Sequence, residues 1–210
     1  MKARRLPHLY VIGEPLFITF RLHDSLPSHR AFQAGNLTSG KAFVAMDRLL
    51  DRARTGPAFL RQPAIARKVV ASLQYGVEIG HYQMHSWVIM PNHVHLLLTP
   101  NVSVPKLLGS LKTATAKRAN LILGRTGGTF WQAESYDHRV RTEGEFRRIK
   151  RYIEINPVAA CLAANPEEYP WSSAFPAPAS GAGSPAQTES PPHQDTSLPH
   201  QNVQTPGACF

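Results

Sequence analysis

His93 and His95 are one residue apart in the run Met90-Pro91-Asn92-His93-Val94-His95-Leu96-Leu97-Leu98. On a strand, residues two apart point to the same face. The two imidazoles therefore stand side by side, while Val94 and Leu96 turn to the opposite, core-facing side. Pro91 and Asn92 suit the centre of a tight turn, Pro through its fixed φ and Asn through its tolerance of positive φ. Residues 82–90 are rich in β-formers, so the pattern predicts an antiparallel hairpin with two imidazoles just past its turn. Such a pair is a rigid half-site for a divalent cation. A His-x-His pair on a strand is more often two half-buried or surface histidines, and two ligands fall short of the four of a structural zinc site. A metal here needs a third ligand from elsewhere and leaves room for a substrate.

A second group lies in residues 145–156. At about 100° per residue, Phe146, Ile149 and Ile153 share one core-facing arc. Tyr152 and Asn156 stack one turn apart at its edge, and Arg148 and Arg151 lie further toward solvent. A phenol beside an amide oxygen, flanked by guanidinium groups, has the parts of a nucleophile next to a metal ligand and phosphate clamps. By spacing alone, a Tyr at such an edge is more often a snorkelling aromatic, and an Asn before Pro a helix stop.

The elements that must position these groups follow from the rest of the pattern. Residues 16–22 (LFITFRL) alternate and predict a first strand. Residues 23–39 are loop-like, with Pro27, Gly35 and Asn36. Ser39 caps a helix over 41–54 with Phe43, Met46, Leu49 and Leu50 on one face. A further helix covers 63–75, with Ile65, Val69 and Leu73 inward and Gly76 near its end. Ser103 caps a long helix with Pro105 in its first turn. Val104, Leu107, Leu108, Leu111, Ala114 and Leu121 make its apolar stripe. Lys106, Ser110, Thr113, Lys117 and Asn120 line the other side, flanked by Lys112 and Arg118. The Gly-rich run 124–129 lacks the Gly-Lys-Ser/Thr of a phosphate loop and reads as a connection. Residues 130–132 and 136–140 read as a short strand region. Thr142 and Glu145 fit a capping box for the last helix, which is expected to end near Asn156 because Pro157 disfavours helical geometry before it.

The 210 residues suit one domain with a single core. Lys and Arg number 23 against 14 Asp and Glu, a formal charge of +9. Residues 176–210 hold no Lys or Arg and only Glu189 and Asp195 as acids, so the basic excess lies entirely on residues 1–175. A compact basic domain points to a polyanion, most often nucleic acid. Beyond Phe175 the chain is Pro, Ser, Gly, Ala and Gln with few large apolar residues, which predicts a disordered tail over 176–210. Cys161 and Cys209 are too few for a disulfide framework, so a reducing intracellular compartment is expected. No apolar run approaches the ~20 residues that span a membrane, and the basic start lacks a signal-peptide core.

PNHVHLLL (91–98), FWQAESYDHRVR (130–141) and KRYIEINPVAACL (150–162) followed by YPWSS (169–173) occur in that order. Together they resemble the REP-associated tyrosine transposases, relatives of the single-tyrosine HUH transposases of bacterial insertion sequences. The resemblance runs from about Leu6 through Ala174. It implies an α+β fold, a ferredoxin-like βαββαβ antiparallel sheet with helices on one face, followed by the disordered tail. It places the histidines on a central strand and the tyrosine helix beside them, and makes residues 1–175 the transposase-like domain. It assigns Mg²⁺ or Mn²⁺ to His93 and His95 with Asn156 as third ligand, and the nucleophile to Tyr152. The implied activity is metal-dependent cleavage and transfer of single-stranded or hairpin DNA through a 5′-phosphotyrosine, that is, DNA transposition. Lys112, Lys117, Arg118, Arg141, Arg148 and Arg151 are the candidate DNA contacts. The implied partners are palindromic repeat DNA and no membrane, for a monomer or homodimer in the bacterial cytoplasm, at the nucleoid when bound. The motif departs from the family's NPV-Lys/Arg-Ala-Gly-Leu at Ala159 and Cys161, altering a phosphate contact and a glycine turn. The rival is a non-catalytic hairpin-binding protein derived from a transposase, and a structural zinc remnant ranks third. Tyr136 is the next candidate nucleophile.

Overall fold

The computed structural model describes residues 11–26, 47, 49, 50 and 56–176. In order these form β1 (Leu16–Arg21), α1 (Pro63–Glu78), β2 (Tyr82–Ile89), β3 (His93–Pro100), α2 (Val104–Ile122), β4 (Tyr136–Arg139) and α3 (Glu143–Ala159). The four strands form one antiparallel sheet in the order β2-β3-β1-β4. That is the ferredoxin-like arrangement, with β3 in the interior and a helix added after the last strand. Of the expected helix over 41–54, Asp47, Leu49 and Leu50 have helical backbone. The rest of it, residues 6–10 and the tail from 177 onward lie outside the described residues.

Both faces of the sheet are covered, and this explains why Leu96, Leu97 and Leu98 are all fully buried. Leu16, Ile18, Phe20, Val94, Leu96 and Leu98 pack under α1 and α2 in the main core. Phe17, Val88, Met90 and Leu97 face the other way and pack with Ile153 of α3. The expectation of helices on one face therefore holds for α1 and α2 only. α3 covers the opposite face, because its short apolar arc needs a sheet surface that the first two helices leave open. The edge strand β2 is shielded by the YPWSS segment. Ile89 N–H donates to Trp171 O at 2.8 Å, and Ser173 N–H to Trp87 O at 2.9 Å.

Several local devices differ from the sequence pattern. Met90 N–H donates to His93 O at 2.9 Å, closing the hairpin over Pro91 and Asn92. Asn92 does not use the left-handed backbone; among described non-glycine residues only Asp24 and Cys161 do. On α2, Ala114 and Leu121 are exposed, whereas Thr115 and Asn120 are buried. Their polar atoms are satisfied locally: Thr115 Oγ1 accepts from Trp131 Nε1 at 2.8 Å, and Asn120 Nδ2 donates to Gly128 O at 2.6 Å. Gly76 sits where a Cβ would meet the Tyr82 ring, so it serves close helix–strand packing rather than a cap.

α3 runs past Pro157 to Ala159 instead of ending at Asn156. The bonds that close its last turn do not need the missing Pro N–H. Ala160 N–H donates to Asn156 O, Cys161 N–H to Val158 O and Leu162 N–H to Pro157 O. The last two form a Schellman motif with Cys161 at the left-handed position, φ +55°. At the other end Glu145 N–H donates to Thr142 Oγ1 at 3.2 Å. Glu145 Oε2 reaches back one residue further than expected, to the N–H of Arg141 at 2.8 Å.

Candidate metal and tyrosine site

Antiparallel pairing sets β1 residues beside the two histidines. Thr19 lies opposite His95 and Arg21 opposite His93, all on the α3 face of the sheet. His93 and His95 are fully buried, with their Nε2 atoms 3.1 Å apart. Each ring is held from behind. His93 Nδ1 is 2.7 Å from Asn92 Oδ1, and the other end of that amide donates from Nδ2 to Leu50 O at 2.9 Å. An amide oxygen only accepts, so the His93 proton is on Nδ1 and the Nε2 lone pair points into the site. Burial, and then the neighbouring His95, push the His93 pKa down to about 3 against the pull of Asp47, so the ring is neutral. His95 Nδ1 is 2.7 Å from Thr19 Oγ1, which leaves its Nε2 directed to the same point.

That point is also occupied by Asp47. Its Oδ1 lies 3.2 Å from His95 Nε2 and 3.5 Å from His93 Nε2, with 1% of the side chain exposed. Burial works against its charge, but the two imidazoles and the Asn156 amide hold its carboxyl below the usual carboxylate range. The Tyr152 hydroxyl donates to Asp47 Oδ2, and Asn156 Nδ2 lies 3.4 Å from the same oxygen. The Tyr152 ring stands 5.7 Å from the His95 ring and edge-on to Phe17 at 6.3 Å. The structure brings His93, His95, Tyr152 and Asn156, the four residues singled out in the sequence, together around Asp47. Asp47 was not foreseen. The available signal was its position: 43, 46, 47 and 50 follow helical spacing, so a carboxylate falls on the expected apolar face. Asn92, read as a turn residue, and Thr19 were likewise missed as partners of the histidines.

The donor set fits a divalent cation. Among the described residues nothing hydrogen-bonds to the buried Asp47 Oδ1 and Asn156 Oδ1, and such atoms are costly unless something fills the role. Asp47, His93 and His95 each offer a ligand atom within 4.8 Å of the others. Two imidazole nitrogens, a carboxylate and an amide oxygen suit Mg²⁺, Mn²⁺ or a related ion.

The expected DNA contacts divide between the layers. Arg141, Arg148 and Arg151 are exposed on or beside α3, on the tyrosine side. Lys112, Lys117 and Arg118 belong to α2, which covers the other face. Lys112 Nζ is already bonded to the carbonyls of Gln132, Ala133 and Glu134, and burial pushes its pKa down to about 8. Arg118 Nη1 donates to Ser72 Oγ of α1 at 3.0 Å. Arg21, unforeseen, shares the histidine face.

Fold and site together define a ferredoxin-like domain with a buried imidazole–carboxylate centre against a tyrosine. Residues 59–156 match the family described as transposase, IS200-like. The match contains His93, His95, Tyr152 and Asn156 but stops short of Asp47. Among solved structures, a REP-associated tyrosine transposase bound to a REP hairpin is 18% identical over 82% of each chain, with a TM-score of 0.49. A chain from Deinococcus radiodurans R1, provisionally assigned as a transposase, is 20% identical over 74% of this chain and 98% of its own, with a TM-score of 0.31. No curated protein matches the sequence significantly. Among the described residues no helix is long and apolar enough to cross a membrane.

Proposed function

We propose that residues 1–175 form a single-tyrosine, metal-dependent DNA strand transferase acting on single-stranded or hairpin DNA, in the bacterial cytoplasm and at the nucleoid when bound. The observation that carries this reading is the tyrosine hydroxyl bonded directly into the His93–His95–Asp47 centre. A phenol seated at a set of divalent-cation ligands, on an IS200-like domain, has the parts needed for phosphodiester exchange. Mg²⁺ or Mn²⁺ held by His93, His95 and Asn156 would polarise the scissile phosphodiester and offset charge on the departing oxygen. Tyr152 Oη attacks phosphorus, the P–O3′ bond breaks, and the phenolic proton is balanced by protonation of the released 3′-OH. The product is a 5′-phosphotyrosine, and the reverse reaction with another 3′-OH rejoins the strand. One phosphodiester replaces another, so no nucleotide cofactor is required. Arg141, Arg148, Arg151 and Arg21 supply the backbone contacts on this side.

The partner is read as palindromic single-stranded DNA, since a helix-borne phenol must reach one exposed backbone. The test is incubation with labelled hairpin DNA flanking the protein's own gene, with Mg²⁺ or Mn²⁺, followed by denaturing separation. A metal-dependent protein–DNA adduct on hairpin but not on intact duplex supports the reading, and His93→Ala and His95→Ala remove it. Tight hairpin binding with no adduct would leave the protein a non-catalytic binder.

A further inference from the structure

Among the described residues Asp47 is the one buried acid in this centre, and it lies outside the stretch that matches the family. Its two oxygens have different neighbours. Oδ1 faces the Nε2 atoms of both histidines, with no other donor to it among the described residues, whereas Oδ2 takes the Tyr152 hydroxyl and the Asn156 amide. A purely structural aspartate would have both oxygens matched to donors, because an unmatched buried carboxylate oxygen is costly. Here one oxygen is committed to the nucleophile and the other is aimed where the Nε2 atoms of two imidazoles converge.

We infer that Asp47 is an additional ligand of the cation and that it shares its carboxylate between that cation and the Tyr152 phenol. The inference rests on the reading of His93 and His95 as metal ligands. The carboxylate supplies the charge that two neutral imidazoles and an amide lack, and hard divalent cations favour anionic oxygen. It also docks the phenol one carboxylate away from the ion, so metal occupancy and phenol position are coupled through a single side chain. Asn92 extends this arrangement. Its amide bridges His93 to Leu50 O, three residues along from Asp47, and so sets the strand against the acid-bearing segment.

The test is Mn²⁺ binding to the full-length, metal-stripped protein, by calorimetry and by the Mn²⁺ electron-paramagnetic signal, with no DNA present. Asp47→Asn keeps the shape and removes the charge, and should weaken Mn²⁺ by at least about tenfold. Tyr152→Phe keeps the ring and frees Oδ2. It should tighten Mn²⁺ by at least about threefold in the Asp47 background and have no effect on top of Asp47→Asn. His93→Ala is the control for the underlying reading. If it binds Mn²⁺ like the wild type, the metal site itself is wrong. If it loses Mn²⁺ while Asp47→Asn does not, only the role of Asp47 falls. A Tyr152→Phe effect that is absent, reversed or equal in both backgrounds would overturn the sharing. Unchanged Mn²⁺ affinity with faster DNA cleavage by Asp47→Asn would make the carboxylate a stand-in for the substrate phosphate instead.

Discussion

At the scale of residues, the centre depends on groups behind the ligands as much as on the ligands. Thr19 Oγ1 is the partner of His95 Nδ1 in the described structure. Thr19→Val keeps the shape and removes that oxygen, so the His95 ring loses the hydrogen bond that orients it. Mn²⁺ affinity should fall about 10- to 100-fold, the range for lost partners of metal-bound histidines, as calorimetry would register. An unchanged affinity would show that packing alone orients the ring. His93, His95, Tyr152 and Asn156 were legible because each sits within a short local pattern, a strand dyad or a helical turn. Asp47 was not, since it meets Tyr152 across 105 residues of chain and local periodicity carries no information about such a contact. Thr19 escaped for the same reason: its link to His95 exists only once β1 and β3 are in register.

At the scale of elements, the hairpin and α3 carry the site, and both were largely visible in the sequence. Alternation gave β1, β-forming residues gave β2 and the His-x-His dyad gave β3, whereas the three-leucine run on β3, the mark of a strand covered on both faces, was not read as such. The errors came where a polar residue is buried with a partner, as at Thr115 and Asn120, or where a proline is tolerated. Pro157 stays helical because the turn beyond it closes on carbonyls of Asn156, Pro157 and Val158. That closure puts Cys161 at φ +55°, a conformation costing an L-residue about 1–2 kcal/mol, partly offset by the greater unfolded-state freedom of glycine. Cys161→Gly should therefore stabilise the protein by about 0.5–1 kcal/mol in urea unfolding, with little change in the slope. A loss of stability would mean the cysteine side chain contributes packing that outweighs its backbone strain.

At the scale of the molecule, described basic residues lie on both layers, Lys112, Lys117 and Arg118 on α2 and Arg148 and Arg151 on α3, but only the α3 layer holds the tyrosine. Arg148→Ala and Arg151→Ala should each flatten the salt dependence of hairpin binding, by about 0.7 in the log–log slope for single-stranded contacts. Lys117→Ala, on the far layer, should leave the slope unchanged; equal effects from both layers would mean that DNA wraps the domain. The main core under α1 and α2 contains none of the side chains of His93, His95, Asn156 or Asp47, so chelation should empty the site without abolishing cooperative melting. Chelator-induced unfolding would instead mark a structural zinc. The central claim is that Tyr152 forms a covalent bond to DNA. It is tested most directly by digesting the protein–DNA adduct and locating the nucleotide-bearing peptide by mass spectrometry. The mass increment should fall on Tyr152, and Tyr152→Phe should give no adduct while still binding the hairpin. An adduct that persists in Tyr152→Phe, or that maps to Tyr136, would contradict the account.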